Sequence, residues 1–160
     1  MNQPSGQILV IEDNDAKRDS IKVVLHRELP GVDIRDALSV QSAIVALSKA
    51  IPDMIIADMS LPTYDIGGVE RGGTPRSFGG IEVFEYLARY AISVPVLVVT
   101  SYPAITDGSQ SMDLNQLTKR LRDEFPSCFV GTVYFDSTYS TWEREIVACL
   151  RLIRNDQHGA

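Results

Sequence analysis

The stretch Pro52-Asp53-Met54-Ile55-Ile56-Ala57-Asp58-Met59-Ser60-Leu61-Pro62 decides the fold. Its apolar run shows no polar alternation, so it reads as a strand, Asp53 to Ala57, covered on both faces. The run ends on a carboxylate, Asp58. A second apolar run near the N-terminus, Ile8-Leu9-Val10-Ile11, ends the same way, on Glu12-Asp13. Two such strands, with helical patterns between and after them, bring three acids to one edge of a parallel sheet. That is the edge where open α/β sheets hold ligands. Three carboxylates there repel one another unless a divalent cation neutralises them. The pattern therefore predicts a metal site and a reactive aspartate, against the plainer reading of loop acids that cap the next helix.

The rest of the chain alternates regularly. Asp15 to Glu28 has an apolar stripe at Ile21, Val24, Leu25 and Leu29, and Pro30-Gly31 stops it. Val32 to Ala37 reads as a short strand. Ser39 caps a helix whose expected buried face is Ala43, Ile44, Leu47 and Ile51. Ile81 to Tyr90 is a helix with Val83, Phe84, Leu87 and Ala88 inward. Val94 to Thr100 is a strand, Asp113 to Phe125 a helix with Leu114, Leu117 and Leu121 at helical spacing, and Phe129 to Phe135 a strand. A capping-box pattern, Ser140-Thr141-Trp142-Glu143, opens a last helix that runs to about Arg154. Five strands alternating with five helices imply one α/β domain over 1–160, core about 7–154, with right-handed crossovers and helices on both faces of a parallel sheet. Two connections are long: 63–80, rich in glycine with Arg71 and Arg76, and the polar stretch 102–112, with Asp107-Gly108 as a turn. Both follow strands on the acidic edge and are expected over the site.

Composition excludes several classes. A net charge of -6 argues against nucleic acid as a direct partner. No run is apolar enough to span a bilayer, and Met1 to Gly6 has no leader character, so a cytoplasmic protein is expected. Cys128 and Cys149 then read as reduced thiols. His26 and His158 read as surface residues and have no Cys or His partner at zinc-ligand spacing. The glycine-rich stretch lacks the Gly-Lys-Ser/Thr of a phosphate-binding loop.

With these residues in order, the chain resembles the receiver domains of two-component response regulators. Glu12-Asp13 matches the family's acidic pair, and Asp58 its phosphoacceptor. Asp58-Met59-Ser60-Leu61-Pro62 looks like the Asp-x-x-Met/Leu-Pro signature, and Gly79-Gly80-Ile81-Glu82 like the start of the third helix. Thr100 matches the switch residue on the fourth strand, and Tyr134 the aromatic switch on the fifth. The resemblance implies a flavodoxin-like doubly wound fold, five parallel strands in the order 2-1-3-4-5. It also implies Mg2+ held by Asp13, Asp58 and the Ser60 backbone carbonyl, with Glu12 acting through water. A histidine kinase or phosphotransfer protein would be the phosphodonor. The chain is not expected to be an enzyme beyond self-phosphorylation and self-dephosphorylation. Ending at the fifth helix implies no output domain, so output would pass to another protein or through a homodimer. Tyr134 also reads as plain core, and Tyr139 and Trp142 as packing residues.

One departure stands out. The family's lysine at the end of the fifth strand falls on Ser137, and its proline on Thr138. No Lys or Arg lies between Asp123 and Glu143. The site is therefore expected to lack its fixed cation unless Arg71 or Arg76 supplies one. This motivates a second reading, a pseudo-receiver that acts as an interaction module without phosphorylation. A third, a phosphatase-like enzyme with Asp58 as nucleophile, is disfavoured because Ser60 stands where such enzymes carry a second Asp.

Overall fold

The protein is described by a computed structural model covering residues 6–65 and 78–158. Its elements run β1 (Gln7–Ile11), α1 (Asp15–Glu28), β2 (Asp33–Ala37), α2 (Val40–Lys49), β3 (Met54–Ala57), α3 (Gly79–Arg89), β4 (Val96–Thr100), β5 (Ala104–Asp107), β6 (Gln110–Asp113), α4 (Leu114–Glu124), β7 (Phe129–Tyr134) and α5 (Thr141–His158). The main sheet has the order β2-β1-β3-β4-β7, all parallel. This is the expected doubly wound order, with β7 as the fifth strand.

Side chains that alternate along each strand feed two separate cores. Leu9, Ile11, Ile55, Ala57, Val96 and Val98 point to one face, where α2, α3 and α4 bring Leu47, Phe84, Leu87 and Leu117. Ile8, Val10, Met54, Ile56, Leu97 and Val99 point to the other, where α1 and α5 bring Ile21, Leu25, Trp142 and Ile146. The central strands are buried on both sides, as their unbroken apolar sequence requires. Helix starts follow local chemistry. The Asn14 side chain caps α1 by accepting from the Lys17 N–H, and Ser39 and Asp113 form capping boxes with Ser42 and Gln116.

Three expectations need correction. Ile51 is 58% exposed, because α2 ends at Lys49 and Ala50 is already extended. Ala88 is exposed on the outer side of α3. The stretch 102–112 is no plain loop but an antiparallel hairpin, β5 with β6. Gly108 sits in the left-handed region, φ 61°, which suits the turn between them. Ile105 is buried in the core beside Leu117 and anchors the hairpin. The hairpin also delivers Asp113, the cap of α4.

Candidate functional site at the carboxyl edge of the sheet

Strands β1 and β3 are neighbours, so Glu12-Asp13 and Asp58 emerge side by side. The Asp58 N–H donates to the Ile11 carbonyl at 3.1 Å, which holds the two exits together. Asp58 Oδ1 accepts from the Met59 N–H at 2.7 Å. Glu12 Oε1 accepts from the Asn14 N–H at 3.0 Å. One carboxylate oxygen from each of Glu12, Asp13 and Asp58 lies within 4.8 Å of the others. Glu12 and Asp58 are buried, and Asp13 is half-buried. With Ser60 and Ser137 they line a cleft of about 390 Å³. All three acids expected at the site are thus brought together, and Ser137 stands on its wall.

Thr100 ends β4 fully buried, and its hydroxyl oxygen accepts from the Tyr102 N–H at 3.2 Å. Tyr134 lies opposite Thr100 in the β4–β7 register and is 39% exposed. Phe135, the next residue, turns inward and packs on Trp142 with ring centroids 4.7 Å apart. Trp142 is therefore a core residue, while Tyr139 is exposed. Arg71 and Arg76 lie outside the described residues.

The expected lack of a cation is wrong. Lys17, in the first turn of α1, is buried, and its ammonium enters the acidic cluster. Nζ lies 2.7 Å from Glu12 Oε2 and 3.1 Å from Asp58 Oδ2. It also donates to the Val99 carbonyl at 2.9 Å. The Phe135 ring centroid lies 5.9 Å from it. The cation comes neither from the end of the fifth strand nor from the stretch 63–80, the two places the sequence pointed to, but from the first helix. Its signal was present nonetheless: Lys17 falls four residues before Ile21, on the stripe that continues through Val24 and Leu25. A lysine on a buried stripe is a charge with a partner waiting for it.

The donor set fits a hard divalent cation. Three acids stand against one ammonium, and oxygen ligands of this kind suit Mg2+. Asp13, the acid with no contact to Lys17 among those described, is the most open of the three to an ion. Burial, and then the charge of Asp58, push the Glu12 carboxyl up to about 8, with Lys17 pulling the other way. A raised carboxyl pKa means that the folded protein holds a proton the unfolded chain has lost. In metal-free buffer this part of the stability therefore falls as pH rises from about 4.5 to about 8. Metal needs the ionised acid, so Mg2+ binding should expel a proton below pH 8 and tighten with pH until about 8. Titration calorimetry in two buffers of different ionisation enthalpy should show that proton at pH 7 and lose it at pH 9; equal heats in both buffers at pH 7 would contradict it.

Comparison with known proteins agrees with this geometry. The family model described as response regulator receiver domain matches residues 8–124 and so stops before β7, where Ser137 follows. The chain is 24% identical over 143 residues to the Detocs response regulatory protein DtcB of Enterobacter cloacae, covering 88% of this chain and 95% of that one. It is 28% identical over 141 residues to the uncharacterised protein y4jR of Sinorhizobium fredii, covering 86% and 92%. Among solved structures, a signal receiver domain of an HD domain-containing protein from Pseudomonas fluorescens superposes with a TM-score of 0.65 at 15% identity, covering 98% and 99%. No helix of the described residues is long and apolar enough to cross a membrane. An acidic triad at the carboxyl edge of a 2-1-3-4-5 sheet, with a matching family model over most of the chain, places this protein in the response regulator receiver domain family.

Proposed function

We propose that Asp58 accepts a phosphoryl group and that the acyl phosphate alters contacts with other proteins. The observation that carries this reading is the state of the Asp58 carboxylate. One oxygen is held by the Met59 amide, and the other faces the Lys17 ammonium, inside a cleft shared with Glu12 and Asp13. A carboxylate fixed in this way is an oriented nucleophile. The donor is a phosphohistidine on a histidine kinase or phosphotransfer protein, or a small phosphoramidate. An Asp58 oxygen forms the O–P bond as the P–N bond breaks, and the nitrogen keeps the electron pair and takes a proton. Mg2+, bound by Asp13 and Asp58 with the Ser60 carbonyl and with Glu12 acting through water, would neutralise charge on the transferring group.

The Thr100 hydroxyl, at the end of β4, would turn toward a phosphoryl oxygen. Tyr134, opposite it, is the aromatic whose exposed ring would register that turn. Output then passes to an effector protein or a second copy, without direct nucleic-acid or membrane contact and without catalysis beyond the site's own phosphorylation and its reversal. The kinship with proteins called response regulatory supports this reading. A second reading, the pseudo-receiver, is favoured by Ser137 at the lysine position and by a Lys17 that already pairs two of the three acids.

Intact-mass measurement with phosphoramidate and Mg2+ tests the choice. Wild type should gain one acid-labile phosphoryl group, and Asp58→Ala none. A wild type that stays unmodified, even with a cognate kinase, selects the pseudo-receiver.

A further inference from the structure

We propose that Lys17 supplies, from helix α1, the cation that faces the phosphoryl group, in place of a lysine at position 137. The inference rests on Asp58 being the phosphoacceptor.

Burying an ammonium costs several kcal/mol, roughly, unless it is fully paired. Lys17 meets that condition only at the acidic site. Its ammonium donates to the Val99 carbonyl and lies within ion-pair distance of Glu12 Oε2 and Asp58 Oδ2. Two positions around the Asp58 carboxylate are thereby decided. Oδ1 is tied to the main chain, and Oδ2 is the oxygen that looks at the ammonium. Ser137 lines the same cleft, so its wall is within the site but offers only a hydroxyl. A neutral hydroxyl cannot replace a charge against phosphoryl oxygens.

Phosphoryl transfer then has a defined electrostatic course. The Asp58 oxygen forms the O–P bond, the P–N bond of the donor breaks, and its electron pair leaves on nitrogen, which is protonated by solvent. Forming the acyl phosphate removes the carboxylate charge from Asp58 and puts negative charge on the phosphoryl oxygens just beyond it. The ammonium exchanges its contact with Asp58 for one of those oxygens, keeping Glu12 and Val99 as anchors. Lys17 is thus a group that touches the reacting atoms, delivered by a helix rather than by the last strand.

The test uses phosphoramidate and Mg2+, with phosphorylation read by intact mass and folding by circular dichroism. Lys17→Met should slow phosphorylation by about a hundredfold, the scale of losing one fixed charge at a transition state. Lys17→Met combined with Ser137→Lys should recover most of that loss, because the new ammonium enters the same cleft from the other wall. A purely structural lysine would not be rescued in this way. Lys17→Met reacting at the wild-type rate overturns the proposal, and so does a folded double variant that stays slow. A wild-type measurement avoids any folding defect. The Lys17 side-chain nitrogen resonance should move as Asp58 is phosphorylated, and a resonance that stays still overturns the proposal. If wild type is silent while Ser137→Lys reacts, Lys17 is no substitute although Asp58 is competent. If both are silent, the phosphoacceptor reading itself falls.

Discussion

Alanine at Gly80 is expected to destabilise the protein by about 3 kcal/mol, near the top of the usual range for overpacking. A Cβ built at Gly80 would lie 2.3 Å from the Asp58 carbonyl oxygen and 2.9 Å from Met59 Cα. Both are main-chain atoms, so no side chain can swing aside. The first turn of α3 is also tied to this segment, since the Gly80 N–H donates to the Met59 carbonyl at 2.9 Å. Either α3 backs away from the sheet or the segment carrying Asp58 moves. Alanine's better helix propensity returns at most about 1 kcal/mol. Urea unfolding should show a lower midpoint with an unchanged slope, and Mg2+ affinity should fall with it because the moved segment carries a ligand. A midpoint equal to wild type would show that the contact relaxes freely.

Phe84→Ala should cost about 3–5 kcal/mol, the usual loss for emptying a fully buried aromatic site. Phe84 is 1% exposed, stacks on Phe125 at 5.1 Å and tilts against Phe129 at 6.3 Å. It therefore joins α3 to the residue that ends α4 and to the start of β7. A typical domain has only about 5–15 kcal/mol to lose. The variant should thus show a large drop in melting temperature, while Phe84→Leu, which keeps most of the volume, should lose under about 1.5 kcal/mol. Equal melting temperatures for the alanine and leucine variants would contradict the packing account.

Most of the fold was legible because its signals are local. The run from Met54 to Ala57 could only be a two-sided strand, and α1 has the bounds its stripe and its Pro30-Gly31 stop implied. Ile51 was misplaced because periodicity carried the α2 stripe beyond the point where the backbone turns extended. The β5–β6 hairpin was missed because its strands are short and polar, and among its described side chains only Ile105 and Met112 pack on the core. At the site, the acids and Thr100 follow directly from strand ends. Lys17 does not, since its partners lie 5, 41 and 82 positions away along the chain, at Glu12, Asp58 and Val99. A side chain's destination through a folded edge is a tertiary fact, and the one hint, a charge on an apolar stripe, gains meaning only when the stripe is extended backwards past Ile21.

The ammonium of Lys17 also has a mechanical meaning. Its partners follow β1, follow β3 and sit within β4, which are the three central strands of the sheet in spatial order. One flexible side chain therefore works as a rivet through the middle of the sheet's upper rim, driven in from a helix lying across one face. The first turn of a helix is ordinarily the part that frays. Here it cannot lift without pulling a charge out of three joints at once, so the rim and the start of α1 must open together or stay closed together.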